Sequence, residues 1–409
     1  MYEVNTMKIC FFTRTLPAHA VGGMELHIET LARSLSVKGE DVTIITTAHP
    51  SGVEYEEKNG VIVHYLAGTR PGKYGRHWWT KSVQKFEELH ATQSFDVIHS
   101  QSAGACRLIR KRVHKKYGIP VVTSLHGTSI DEIKTKLRLG FNIRAKLGLI
   151  KNIYSYLFAD RAFISLSDAV IATSDSQVGV IAKWYAVDTQ KIHLVYNGID
   201  VDAFAPRAPD SALRKSLGLE SSDFIILSVA RLKLEKGLQN ILSVLPGLLK
   251  EHPHIKLLIG GDGEYKKELV ALASRLGIEK NVYFLGIIDY NELPAYFNLC
   301  DIFVNSTIRE NGYDLTIPQA MACAKPVVVS DIRSVVASVV QDGKNGFVYP
   351  RNDIGRLTKL IDELVRYPGL RDAMGRNARD TARSKFSLEA MAEKTITVYR
   401  KVYEDKGLK

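Results

Sequence analysis

The sequence predicts an α/β protein whose two halves each carry a parallel sheet. Three observations support this. Short runs rich in Val, Ile and Leu recur along 409 residues, and such runs read as strands buried on both faces. Most lead into a glycine-bearing loop and then a stretch of helical period, the order that builds parallel sheets. A polar, turn-rich break, Asn197-Gly198-Ile199-Asp200-Val201-Asp202 with Phe204-Ala205-Pro206, divides one series from the next.

Size and composition agree. A chain of 409 residues with 45% hydrophobic content suits two globular domains. No apolar run approaches the ~20 residues of a transmembrane helix. The opening MYEVNTMKICFF lacks the ordered regions of a signal peptide, and Met7 is an alternative start. Cys10, Cys106, Cys300 and Cys323 are far apart with neither zinc spacing nor disulfide density, so they read as reduced core thiols of a cytoplasmic protein. The net charge of +11 favours anionic partners, whether nucleotide, nucleic acid or acidic lipid, without choosing among them.

In chain order, residues 8–13 read as a buried strand that runs into a loop ending in Gly22-Gly23. An amphipathic helix over 24–38 follows, with Leu26, Leu31 and Leu35 on one face, and then a strand over 41–47. Paired glycines let backbone approach a ligand closely or make a plain tight turn. They are not the GxGxxG fingerprint, so no nicotinamide cofactor is expected. After a strand over 61–66 comes a loop both basic and aromatic, from Arg70 to Trp79. It reads either as a surface loop with its tryptophans folded back or as an acceptor or membrane contact.

Strands over 95–100 and 121–125 follow, the second ending in His126-Gly127-Thr128, where α/β proteins bind ligands. Between 131 and 160, Lys134, Lys136, Arg138, Arg144, Lys146 and Lys151 alternate with apolar residues. That suits a helix on an anionic membrane, or a cover over a cleft with solvated charges. Strands over 169–173 and 191–195 complete the first half.

In the second half, a strand over 224–229 precedes Arg231 and Lys236, two cations at a helix entrance that suit a diphosphate. Strands over 256–259 and 281–285 end at Gly260-Gly261-Asp262-Gly263 and at Gly286. A strand over 301–305 leads into the polar loop Ser306–Gly312, a helix over 315–323 and a strand over 327–329. A helix N-terminus facing such a loop suits a phosphate, though an ordinary αβ unit looks the same. A final helix spans 386–403.

Taken together these motifs resemble the family-4 retaining glycosyltransferases of GT-B fold, also called glycosyl transferases group 1. The likeness covers nearly the whole chain. It rests on the Gly22-Gly23 loop, His126-Gly127, Asn197-Gly198-Ile199-Asp200, Arg231 with Lys236-Gly237, and Gly261-Asp262-Gly263. It continues in Gln319-Ala320-Met321-Ala322, Lys325-Pro326-Val327-Val328, and Asn345-Gly346 with Phe347-Val348 and Pro350, which matches the family's next turn. The resemblance implies two Rossmann-like domains facing a cleft: an acceptor-side domain over 1–203, a nucleotide-sugar domain over 204–385, and a helix over 386–409 packing back on the first. It implies a sugar moved from a nucleoside-diphosphate donor to a hydroxyl acceptor, with retention, no cofactor and no metal. The acceptor would be a glycan, a glycolipid or an envelope polysaccharide, lipid-linked if the basic tracts meet a membrane surface. The protein would be cytoplasmic, or peripheral at the inner face of the membrane.

By position, Arg231 and Lys236 would neutralise the donor diphosphate, Gly22 and Gly23 would approach it, and His126 would contact the transferred sugar. Main-chain groups from Gly286 through Ile287 and Ile288 would hold the base, and Gly261, Gly312, Tyr313, Leu315, Thr316 and Gln319 would line the donor. The family carries two glutamates eight positions apart. Here they are Asn311 and Gln319, and Tyr313-Asp314 stands for the family's Phe-Gly. An amide oxygen still accepts from a ribose, but Asn311 lacks the negative charge that would stabilise an oxocarbenium-like sugar. Glu310, one position off, and Asp314 are the carboxylates able to stand in. The alternative is a catalytically silent nucleotide-sugar-binding subunit; an epimerase on the same fold is a third reading. No nucleic-acid-binding module is recognisable.

Overall fold

A computed structural model describes residues 6–20, 23–138, 149–150, 152–154, 156–308, 314–332 and 339–407. The chain forms two compact units, one of Met1–Gly198 with Leu388–Lys409 and one of Ile199–Ser387. The Ile199 amide donates to the Phe386 carbonyl at 2.7 Å, so the entering and leaving segments of the second unit pair with each other.

Unit 1 holds an eight-stranded sheet in the order β3-β4-β2-β1-β5-β6-β7-β8. Its strands are β1 Lys8–Phe12, β2 Asp41–Thr47, β3 Tyr55–Lys58, β4 Val61–Leu66, β5 Val97–Gln101, β6 Val121–Leu125, β7 Ala169–Ala172 and β8 Ile192–Leu194. All neighbours run parallel except β3 and β4. β3 is not expected from the sequence, because Tyr-Glu-Glu-Lys has no apolar alternation. The turn Asn59-Gly60, with φ of 54° and 73°, is the hairpin signal that would have found it.

Alternation along β1 builds two cores. Ile9 and Phe11 face Ile28, Leu31 and Leu35 of helix Gly23–Val37. Met391, Ala392, Val398 and Tyr399 of helix Leu388–Glu404 join the same core. Cys10 and Phe12 face Trp78, Phe86 and Phe163 on the other side. Each Ile, Leu, Val, Met and Phe side chain among these contributes about 1.5–3 kcal/mol by leaving water.

Unit 2 holds a six-stranded parallel sheet in the order β11-β10-β9-β12-β13-β14. The strands are β9 Phe224–Val229, β10 Ile255–Gly260, β11 Val282–Gly286, β12 Ile302–Asn305, β13 Val327–Ser330 and β14 Gly346–Tyr349. The first strand of the series lies in the middle, so the loops after β9 and β12 part on either side of a switch point. Residues 346–349, expected as a turn, are instead the edge strand β14 paired to β13. Four residues between Asn345 and Pro350 are too few to show a period.

Residues 199–203, placed with the first domain by the sequence, belong to unit 2. Arg379, in helix Pro368–Phe386, donates through Nη1 to the carbonyls of Val201 at 2.6 Å, Phe204 at 3.2 Å and Ala322 at 2.8 Å. Arg379→Ala should therefore cost about 2–3 kcal/mol and lower the urea midpoint of unfolding. An unchanged midpoint would show that these three carbonyls do not depend on it.

Candidate functional site

At the unit 2 switch point, two loops are pressed together by glycines. Gly237 has φ +67°, and a β-carbon on it would stand 1.9 Å from the Ser306 carbonyl oxygen. Ser306 Oγ donates to the Gly237 carbonyl at 2.7 Å, and the Ile308 amide donates to the Glu235 carbonyl at 2.9 Å. On the other side, Gly261 has φ +124° and a β-carbon there would meet the Ala230 carbonyl oxygen at 2.0 Å. The Gly261 amide bonds the Gly286 carbonyl at 2.6 Å, and the Leu232 amide bonds the Asp262 carbonyl at 2.9 Å. The ends of β9, β10, β11 and β12 are thus tied into one surface.

The charges on this surface are unevenly matched. Arg231 is exposed, and its guanidinium has no partner among the described residues. Lys236, on the turn Leu234–Lys236, pairs through Nζ with Asp314 Oδ1 at 2.6 Å. Asp314 Oδ2 accepts from Asn305 Nδ2 and from Thr307 Oγ1, both at 3.2 Å. Leu315 precedes the seven-residue helix Thr316–Ala322. Thr316 Oγ1 is buried without a partner among the described residues. Gln319 is buried, and its side-chain amide makes no hydrogen bond with the described residues. Past β11, Ile287 is 82% exposed, whereas the Ile288 side chain lies 2.6 Å from where Gly260 would carry a β-carbon. Gly22, Glu310, Asn311, Gly312 and Tyr313 lie outside the described residues.

Unit 1 has its own switch point, between β1 and β5. Gly23 opens the helix beside it, and His126 follows β6. His126 Nε2 donates to Gln101 Oε1 at 2.8 Å. An amide oxygen only accepts, so the ring proton sits on Nε2 and the lone pair on Nδ1. That Nδ1 is buried without a partner among the described residues, as is Nδ1 of His27, whose ring lies 4.5 Å away edge-on. His99 completes the group, held by Ser124 Oγ at 2.8 Å from Nε2 and by the Tyr399 hydroxyl at Nδ1. Gln101 Nε2 also reaches His99 Nε2, at 3.3 Å. Burial keeps all three imidazoles neutral: His126 falls to about 4, His99 to about 3, and His27 well below its ordinary value, the last also opposed by His126 and His99. No motif in the sequence points to His27, His99 or Gln101; the polar end of the strand Val-Ile-His-Ser-Gln is the available signal.

Other expectations divide. Trp78 is buried, with Nε1 donating to the Gly104 carbonyl at 3.2 Å, and Trp79 packs on Tyr74 at 5.0 Å. These tryptophans therefore fold back on the unit. Of the basic tract from Lys134 to Lys151, residues 139–148 and 151 lie outside the described residues. All four cysteines are free and buried. Among the described residues no helix is long and apolar enough to cross a membrane. One group among them, Glu251, His252 and Asp362, gathers potential metal ligands, and Arg366 already pairs with both carboxylates.

Two parallel-sheet α/β units on one chain, with ligand-type loops at the strand ends, define the GT-B class of fold. Solved structures carry the same fold. Sucrose-phosphate synthase from Thermosynechococcus elongatus superposes with a TM-score of 0.76 at 18% identity, over 98% of this chain and 100% of that one. HepE from Anabaena, in complex with UDP, gives 0.71 at 20% identity, over 98% and 100%. An uncharacterized glycosyltransferase of Methanocaldococcus jannaschii is 27% identical over 98% of this chain and its own full length. The family profile for Glycosyltransferase Family 4 matches residues 21–203 and that for Glycosyl transferases group 1 matches 210–381. The chain belongs to the family-4 glycosyltransferases.

The histidine group makes the stability of the protein pH-dependent. Histidines with lowered folded-state values stay neutral in the fold while the unfolded chain takes up protons below about 6.5. Stability contributed by them is complete above that value and is lost as pH falls towards 4. The melting temperature should drop between pH 6.5 and 4, less so in His126→Gln; identical acid slopes for both proteins would refute the assignment.

Proposed function

We propose that this chain transfers a sugar from a nucleoside-diphosphate donor to a hydroxyl acceptor, with retention at the anomeric carbon and without a metal. The observation that carries the reading is Arg231, without a partner among the described residues, together with Lys236 and the Gly237–Ser306 contact at the unit 2 switch point. The UDP complex of HepE, which shares the fold, supports it.

As the sugar–phosphate bond breaks, negative charge grows on the departing diphosphate. A fixed guanidinium stabilises that charge more in the transition state than in the ground state, and this difference is what accelerates the step. Arg231 takes this role, with Lys236 beside it. Backbone groups at Leu315 and Thr316 and the amide of Gln319 would meet phosphate and ribose, and the segment Gly286–Ile288 would meet the base. In unit 1, His126 would contact the transferred sugar. Neutral imidazole suits that task, since it donates no proton to the reacting centre. The acceptor is proposed to be a glycan, a glycolipid or an envelope polysaccharide.

A second reading, a nucleotide-sugar-binding subunit without turnover, draws on the amides at Asn311 and Gln319. Titration calorimetry with UDP, GDP and ADP in a chelator tests both. One nucleotide should bind, and Arg231→Ala should weaken it about a hundredfold and abolish sugar transfer. Binding that survives Arg231→Ala would remove the donor-site assignment. Binding without product for any acceptor would select the silent subunit.

A further inference from the structure

Among the described ion pairs of unit 2, Lys236 and Asp314 are the most enclosed, with side chains 10% and 15% exposed. An ammonium so far out of water needs an anion beside it. Asp314 supplies one at 2.6 Å, from 78 residues away in sequence. The carboxylate is itself fixed from the β12 side, because Oδ2 accepts from both Asn305 and Thr307. Its two oxygens are therefore engaged by at least three donors, from the turn after β9 and from the end of β12 and the loop beyond it. A carboxylate held in this way is fixed in place with one oxygen against Lys236.

We propose that Asp314 is a built-in competitor of the diphosphate: it holds Lys236 as its counter-ion and sets the affinity of this site for nucleoside diphosphates low. The inference rests on the donor-site reading of Arg231 and Lys236. A diphosphate arriving at Arg231 meets a lysine whose charge is already spent and a carboxylate that repels it. Donor and nucleotide product share the same diphosphate, so both are held loosely. The product, which carries more charge, is repelled more.

Calorimetry on the full chain with UDP, GDP and ADP tests this. The best-bound nucleotide should bind Asp314→Asn about tenfold more tightly than the unaltered protein. Adding Lys236→Gln to Asp314→Asn should remove that gain and return binding to about the unaltered level, since the ammonium is the charge that Asp314→Asn releases. Equal or weaker binding by a folded Asp314→Asn protein would overturn the proposal. Unchanged binding with lost turnover would mark Asp314 as a catalytic carboxylate instead. Should Asp314→Asn fail to fold, Asp314→Gly takes its place with the same expected gain, and equal or weaker binding there overturns the proposal. Failure of the donor-site reading looks different, with no nucleotide bound by either the unaltered protein or Asp314→Asn.

Discussion

The close approach of Gly237 to the Ser306 carbonyl governs the second unit's functional surface. The loop after β9 and the loop after β12 leave the sheet on opposite sides of the switch point, and parallel-sheet geometry alone would let them diverge. A residue with no β-carbon and a left-handed backbone lets them touch. Once they touch, Lys236 and Asp314 come within ion-pair distance and Asn305 and Thr307 fall into place behind the carboxylate. Gly261 does the same work against Ala230, binding the β10 loop to the β9 loop. The arrangement of charge is thus a consequence of two positions where side chains are forbidden.

What the sequence discloses follows from how local each signal is. β2, β4, β6 and β9 are legible to the residue because they are largely buried and rich in Val, Ile and Leu. β3 is illegible by hydropathy because its two faces are wet, and β14 because four residues cannot display a period. Arg231 and Lys236 stand out because cations after a buried strand are rare without a reason. The Lys236–Asp314 pair is invisible in the sequence, since nothing local relates residues 78 positions apart. The same holds for His27, His99 and His126, which come from a helix, a strand and a loop and meet only when β1, β5 and β6 align.

Those three histidines show a different use of burial. Enclosure removes the proton-exchange behaviour that usually makes histidine useful near neutral pH. What remains is a set of neutral rings with defined donors and acceptors. Gln101 links two of them, its oxygen taking the His126 proton and its amide reaching His99. The orientation of His126 is therefore set by a chain of partners that begins at the Tyr399 hydroxyl.

Tyr399 belongs to a helix separated in sequence from the rest of unit 1 by the whole of unit 2. During synthesis, β1 through β8 leave the ribosome while Met391, Ala392, Val398 and Tyr399 are still to be translated. Unit 2, whose residues are contiguous, can close its own core first. Unit 1 must wait with part of an apolar face uncovered, the condition under which nascent chains recruit chaperones or aggregate. The helix that orients His126 is thus also a late-arriving strap, and the order of translation makes the first unit the last to be finished.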